Sequence, residues 1–255
     1  MIILRRGDDL PTVAVLQSYL NQQPAAAEFL ETDGDFGPRT EAAVLKASGT
    51  RVADYATWQR TVGSDWQIID SVDRADHDDP KHAINDHKDL ARYRQTLLEQ
   101  FGLTFGSPIV VNRVRANARP GQVVLLRFHG HGSPGHMIVA SGRIHTGSSL
   151  HHGYGRNFFD FLRPLREIFA PFGSVELHGC RVGQGRPGRE LLTGMADALG
   201  VPISAGLGSQ LGGGKYTFRF EGRTITICPN GESFKNWAKR VCSVSEPGPR
   251  QWQLT

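Results

Sequence analysis

The sequence predicts an α/β protein, a three-layer sandwich with a mainly parallel sheet between helices, preceded by a small helical unit. Three observations carry this prediction. From residue 66 to residue 205, apolar runs of strand length alternate with amphipathic stretches of helix length. The run Val123-Val124-Leu125-Leu126-Arg127-Phe128 lacks strict polar alternation, as a strand covered on both faces does. A chain of 255 residues has room for one α/β domain of roughly 150 to 200 residues and a small accessory module.

Composition narrows the class. With 39% hydrophobic and 21% charged residues, the chain is globular rather than disordered. No apolar run approaches the roughly 18 residues a membrane-spanning helix needs. The opening MIILRRGDDLP meets charge too early for a signal peptide, so a cytoplasmic protein is expected, with a specialised export route as the alternative. The net charge of +4 comes from scattered arginines without interleaved aromatics, which argues against a nucleic-acid partner. Cys180, Cys228 and Cys242 are odd in number and form no C-x-x-C pair. They argue for reduced thiols, with neither a disulfide framework nor a cysteine zinc site.

In chain order, LPTVAVLQSYLNQ places Val13, Val15, Leu16 and Leu20 at helical spacing behind Pro11. The turn TDGDFG follows, and a second helix starts at Pro38 and stops near Gly49. Gly34 and Gly37 suit a tight turn, and Phe36 can plug a small core. Val13-Ala14-Val15-Leu16-Gln17-Ser18-Tyr19-Leu20 and Asp33-Gly34-Asp35-Phe36-Gly37-Pro38-Arg39-Thr40-Glu41-Ala42-Ala43-Val44 resemble the peptidoglycan-binding domain family. The match departs from the family's F-Q ending at Leu45-Lys46, and it covers about a fifth of the chain. It implies a partner for residues 1–50 that is either peptidoglycan or a docking protein. Residues 51–64 read as a linker, 65–245 as the main domain and 246–255 as a tail.

Residues 66–73 read as a first strand, and 75–87 as an acidic loop lacking the glycine turn and terminal Glu of a calcium loop. Asp86 reads as the cap of a helix over 87–102. The stretch 108–120 is a helix or a strand leading into one. Strand 123–128, a helix over 157–172 begun or broken near Pro164, strand 174–179, a helix ending at Gly200 and strand 201–206 form the repeating unit. Residues 215–231 read as a β-hairpin about Glu221-Gly222, and 232–241 as a closing helix.

In a parallel sheet, chemistry gathers at the carboxyl ends of strands. Two of these strands end in reactive groups, one in His129-Gly130-His131-Gly132-Ser133 and the other in His178-Gly179-Cys180-Arg181. The thiol follows the imidazole by about fifty residues, the spacing seen in caspases. A free thiol is only a few per cent ionised at neutral pH, so a nearby imidazole has to activate it. The flanking glycines leave room for a substrate backbone. The amides of Gly132 and Cys180 are candidate oxyanion donors.

These two segments, with their order and spacing, are similar to the caspase-like superfamily of caspases, gingipains, legumains and separases, and to a bacterial branch of it. The resemblance spans about half the chain and implies a caspase-like cysteine endopeptidase without cofactor or metal. In it Cys180 would be the nucleophile and His131 the base, and the substrate a polypeptide. It also implies a pocket selective for the residue before the cut, with Arg181, Ser204 and Gln210 as candidates. Self-cleavage would fall in the loop 145–157.

Alternatives remain at this point. His129 could be the base instead, although H-G-S and Gly135 favour His131. His178 could assist the thiol or pack beside it. His136, His145, His151 and His152 read as polar loop residues. His129, His131, His178 and Cys180 could converge on zinc, or Cys180 could be a small buried hydrophobe in an inactive adaptor. A cell-wall peptide hydrolase is a further reading, although the familiar cysteine enzymes of that kind place Cys before His.

Overall fold

The computed structural model describes residues 2–23, 29–73, 96–100, 106–140, 148–154, 156–210 and 218–242. The chain forms two compact units, one over Asp65–Glu232 and the other over Ile2–Ser64 with Ser233–Thr255.

The helical unit contains α1 (Pro11–Asn21), α2 (Pro38–Ser48) and α3 (Tyr55–Thr61). Its turn is organised by Gln17. The amide nitrogen of Gln17 donates to Asp33 Oδ1 at 2.9 Å, Asp35 O at 2.9 Å and Thr40 Oγ1 at 3.1 Å. Its oxygen accepts from Gly34 N at 3.0 Å. Gly34 adopts φ +82°, and Phe36 is fully buried. Residues 51–64, expected as a linker, are instead structured. Asp54 caps α3 by accepting from Thr57 N, and Ala53 forms a β-bridge to Leu4. The closing helix, Phe234–Cys242, clusters with this unit rather than with the sheet. The expected tail 246–255 lies outside the described residues.

The α/β unit is built on β1 (Gln67–Asp73), β2 (Thr96–Gln100), α4 (Gly106–Asn117), β3 (Val123–His129), β4 (Gly132–Ser133), β5 (His136–Ala140), β6 (Ser148–His151), β7 (Phe169–His178), α5 (Gly185–Leu199), β8 (Ile203–Gly206) and β9 (Thr224–Ile227). The closing helix is α6. The main sheet runs β2-β1-β3-β7-β8-β9. The first five strands in that order are parallel, and β9 is antiparallel to β8. A second, antiparallel sheet of β4, β5 and β6 grows from the loop after β3.

Several elements differ from expectation. Residues 96–100, expected within a helix, form β2, while Asp86 and the acidic stretch 75–87 lie outside the described residues. The stretch 156–168 is a 3₁₀ helix containing Pro164, and β7 begins at Phe169, inside the expected helix. Proline removes a donor and fixes φ, so an α-helix cannot pass through it unbroken. β9, expected as the second arm of a hairpin about Glu221-Gly222, takes Ile203–Gly206 as its partner, and residues 215–217 of the expected first arm lie outside the described residues. Within the expected loop 145–157, residues 148–151 form a strand on β5.

The two faces of the main sheet differ in chemistry. On one face Ile69, Leu126, Phe128, Val175, Leu177, Ile203 and Ala205 join a core with side chains of α4, α5 and the 3₁₀ segment. The other face carries a polar row in register, Asp70 opposite Arg127, Arg127 opposite Glu176, Glu176 opposite Ser204, and Ser204 opposite Thr226. β3 is buried as expected, but against charge on this side.

Candidate active site

The register of β3 and β7 sets the geometry. His129 pairs with His178, so the two residues that follow each of them leave the sheet at the same edge and height. Gly130 N donates to His178 O at 3.4 Å. A Cβ on Gly132 would sit 3.1 Å from Cys180 N, and one on Gly179 would sit 3.0 Å from Gly130 O. The backbones carrying His131 and Cys180 therefore touch, and they do so because glycines occupy the contact. His131 is exposed, and Cys180 is partly exposed. Cys228 and Cys242 are buried, as free cysteines commonly are, and burial raises the Cys242 thiol pKa.

Cys180 Sγ donates to Gln210 O and accepts from Gln210 N, both at 3.3 Å. Arg181 has φ +57°, and its amide donates to Gly208 O at 2.8 Å. Ser204, expected near a pocket, is instead inside the sheet, fully buried with its hydroxyl 2.8 Å from Thr226 Oγ1.

Below the two loops lie two carboxylate–imidazole pairs. His129 Nε2 is 2.8 Å from Asp70 Oδ1, and His178 Nε2 is 2.9 Å from Glu176 Oε2. The two rings lie 5.0 Å apart, and the outer face of His178 stacks on Phe220 at 4.3 Å. Arg127 Nε lies 2.8 Å from Asp70 Oδ1, and Arg127 Nη1 donates to Phe218 O at 3.1 Å. Burial alone would raise the Asp70 carboxyl. The Arg127 charge and the His129 hydrogen bond outweigh it, and the group stays well below the usual carboxylate range. Burial also pushes His129 below the usual imidazole range, against the pull of Asp70. A neutral His129 ring on an ionised carboxylate must donate, which places its hydrogen on Nε2.

His129 is thus engaged one layer below His131. His178 is held by Glu176 rather than simply packed. Four of these groups, Asp70, Arg127, Glu176 and Phe220, had not been picked out from the sequence. For Glu176 the signal was present in V-E-L-H, where apolar and polar residues alternate. His136 and His151 are cross-strand partners with rings 5.5 Å apart, not loop residues. His152 Nδ1 lies 3.1 Å from Gly135 O, and His145 lies outside the described residues. Among the described residues, no group of three or more His, Cys, Asp or Glu side chains is placed to hold a metal, and no helix is long and apolar enough to cross a membrane.

Comparison with protein-family models, with curated proteins and with solved structures returned no match.

Proposed function

We propose that the α/β unit is a caspase-like cysteine endopeptidase in which Cys180 is the nucleophile and His131 the general base. The observation that carries this reading is the His129–His178 register, with the glycine-mediated contact of the loops just above it. In the proposed cycle His131 takes the thiol proton and Cys180 Sγ attacks the scissile carbonyl carbon. The charge that develops on oxygen is met by the amides of Gly132 and Cys180. Collapse breaks the C–N bond, and His131 returns the proton to the leaving amine. Water then attacks the thioester, releasing the new carboxyl end and restoring the thiol.

The helical unit is proposed to be a peptidoglycan-binding-like module. Gln17 and the Asp33–Phe36 turn support this, as does a cavity of about 330 Å³ lined by residues that include Gln17, Asp33, Asp35, Arg39 and Thr40. Three free thiols fit a reducing compartment such as the cytoplasm.

The test is a fluorogenic peptide panel that varies the residue before the cut, applied to the wild type, Cys180→Ala and His131→Ala. The reading requires turnover in the wild type and loss of about 10³-fold or more in both variants. Equal turnover in all three would exclude the dyad, and no turnover in any of them would leave the adaptor reading.

A further inference from the structure

We propose that Gln210 is a latch that holds Cys180 in a resting state, so that the nucleophile is released only when the loop carrying Gln210 moves off it. This rests on the reading of Cys180 as the nucleophile. The thiol has one proton to donate, and it goes to Gln210 O, while Gln210 N donates back to the same sulfur. Both partners come from a single residue. A proton directed at that carbonyl is not directed at an imidazole, so attack requires Sγ to turn away from Gln210 first.

The side chain of Gln210 keeps its backbone in place. Its Nε2 faces three carbonyl oxygens, Gly208 O at 3.3 Å, Ser209 O at 3.1 Å and Glu221 O at 3.1 Å. Its Oε1 accepts from Glu221 N at 2.8 Å. A Cβ on Gly206 would lie 2.6 Å from Nε2, so the amide fits because residue 206 is glycine. The same loop is tied to the nucleophile loop at Arg181 N to Gly208 O, 2.8 Å, and at Gly183 N to Gly206 O, 3.0 Å.

Glu221 is itself anchored by its neighbours. Phe218 O is held by Arg127, Phe220 lies on His178, and Arg223 O accepts from Leu207 N at 2.9 Å. A continuous path of contacts therefore runs from the buried Asp70–Arg127 pair through residues 218–221 and the Gln210 amide to the sulfur. Removing the amide frees the last link and leaves the sheet intact.

The chain carries its own control, because Cys228 and Cys242 are buried and report unfolding. Iodoacetamide labelling, resolved for each cysteine by mass spectrometry, is compared in the wild type, Gln210→Ala and Gln210→Glu. The glutamate variant keeps the side-chain volume but sets a carboxylate against three carbonyls. The latch requires Cys180 to label about five-fold faster or more in both variants, the loss of a set of partly buried hydrogen bonds, with Cys228 and Cys242 unchanged. An unchanged or slower Cys180, a glutamate variant that behaves as wild type, or all three thiols rising together would overturn it. The same preparations are run on the peptide panel. Faster labelling without any Cys180-dependent turnover sinks the peptidase reading while the latch stands.

Discussion

Gly132 shows how closely the site is fitted. A methyl group there would come 2.5 Å from Val182 Cγ2 and 3.1 Å from Cys180 N. Gly132→Ala should therefore push the two loops apart and lower kcat/KM by about 100-fold, the effect of misplacing reacting groups by about an ångström. Thermal melting should move by only a few degrees, and the ratio of the two effects separates a site defect from a folding defect. The buried pair Asp70–Arg127 acts on stability instead. Asp70→Asn removes the carboxylate paired with the buried Arg127 guanidinium and should cost about 3–5 kcal/mol in urea unfolding.

Acid should act on the same row. His129 and Asp70 both bind a proton less readily folded than unfolded, so stability rises with pH through each window. The His129 contribution is complete above the unfolded value of about 6.5, and the Asp70 contribution above about 3.9. Each is lost as the pH falls from there towards the folded value. Melts followed by circular dichroism should show Tm declining from pH 7 downward, with a further decline below pH 4. A flat Tm between pH 7 and pH 5 would mean that His129 is not buried neutral. At this scale the chain order displayed His131 and Cys180 directly. The partners of His129 and His178 were hidden, because pairing across strands depends on a register that no local pattern records.

Among the elements, α5 is the one on which the nucleophile loop depends. It begins five residues after Cys180, and Gly188 in its first turns packs against the backbone of Gly183. An added Cβ would lie 2.3 Å from Gly183 C. Gly188→Ala should thus destabilise the α/β unit by about 1–3 kcal/mol, as overpacking does, visible as a lower urea midpoint. Strands β1, β3, β7 and β8 and helices α1, α2 and α5 were legible in the sequence, because each carries a run or period of the right length. The 3₁₀ stretch 156–168 was not, since its apolar residues also fit a helix of period 3.6 and only Pro164 dissents. β9 was legible as a strand, but its partner lies about twenty residues earlier rather than across the adjacent turn. Short alternating segments reveal their faces but not their neighbours.

At the scale of the whole molecule, the helical unit draws on both sides of the sheet domain in sequence. Phe234 of α6 fills the space over Gly34, where a Cβ would meet its ring at 2.4 Å, and Lys235 pairs with Glu31 at 2.7 Å. Trp237 and Ala238 are buried on the same helix. Ending the chain at Glu232 should therefore loosen the turn around Gln17. The amide protons of α1 should then exchange with deuterium at least about ten-fold faster, while those of β3 and β7 keep their protection. No local pattern reveals this arrangement, since α6 has an ordinary amphipathic pattern and nothing in it says which unit its apolar face will meet.

That arrangement also sets an order on events at the ribosome. The first helices emerge early but lack the helix that covers their loop. They wait while the entire sheet domain is made, and only when residues 233–242 clear the exit tunnel can the first-made unit close. Of the two units, the one begun first is thus the later to be finished, and the sheet, with His131 and Cys180 already side by side at its edge, can assemble before it.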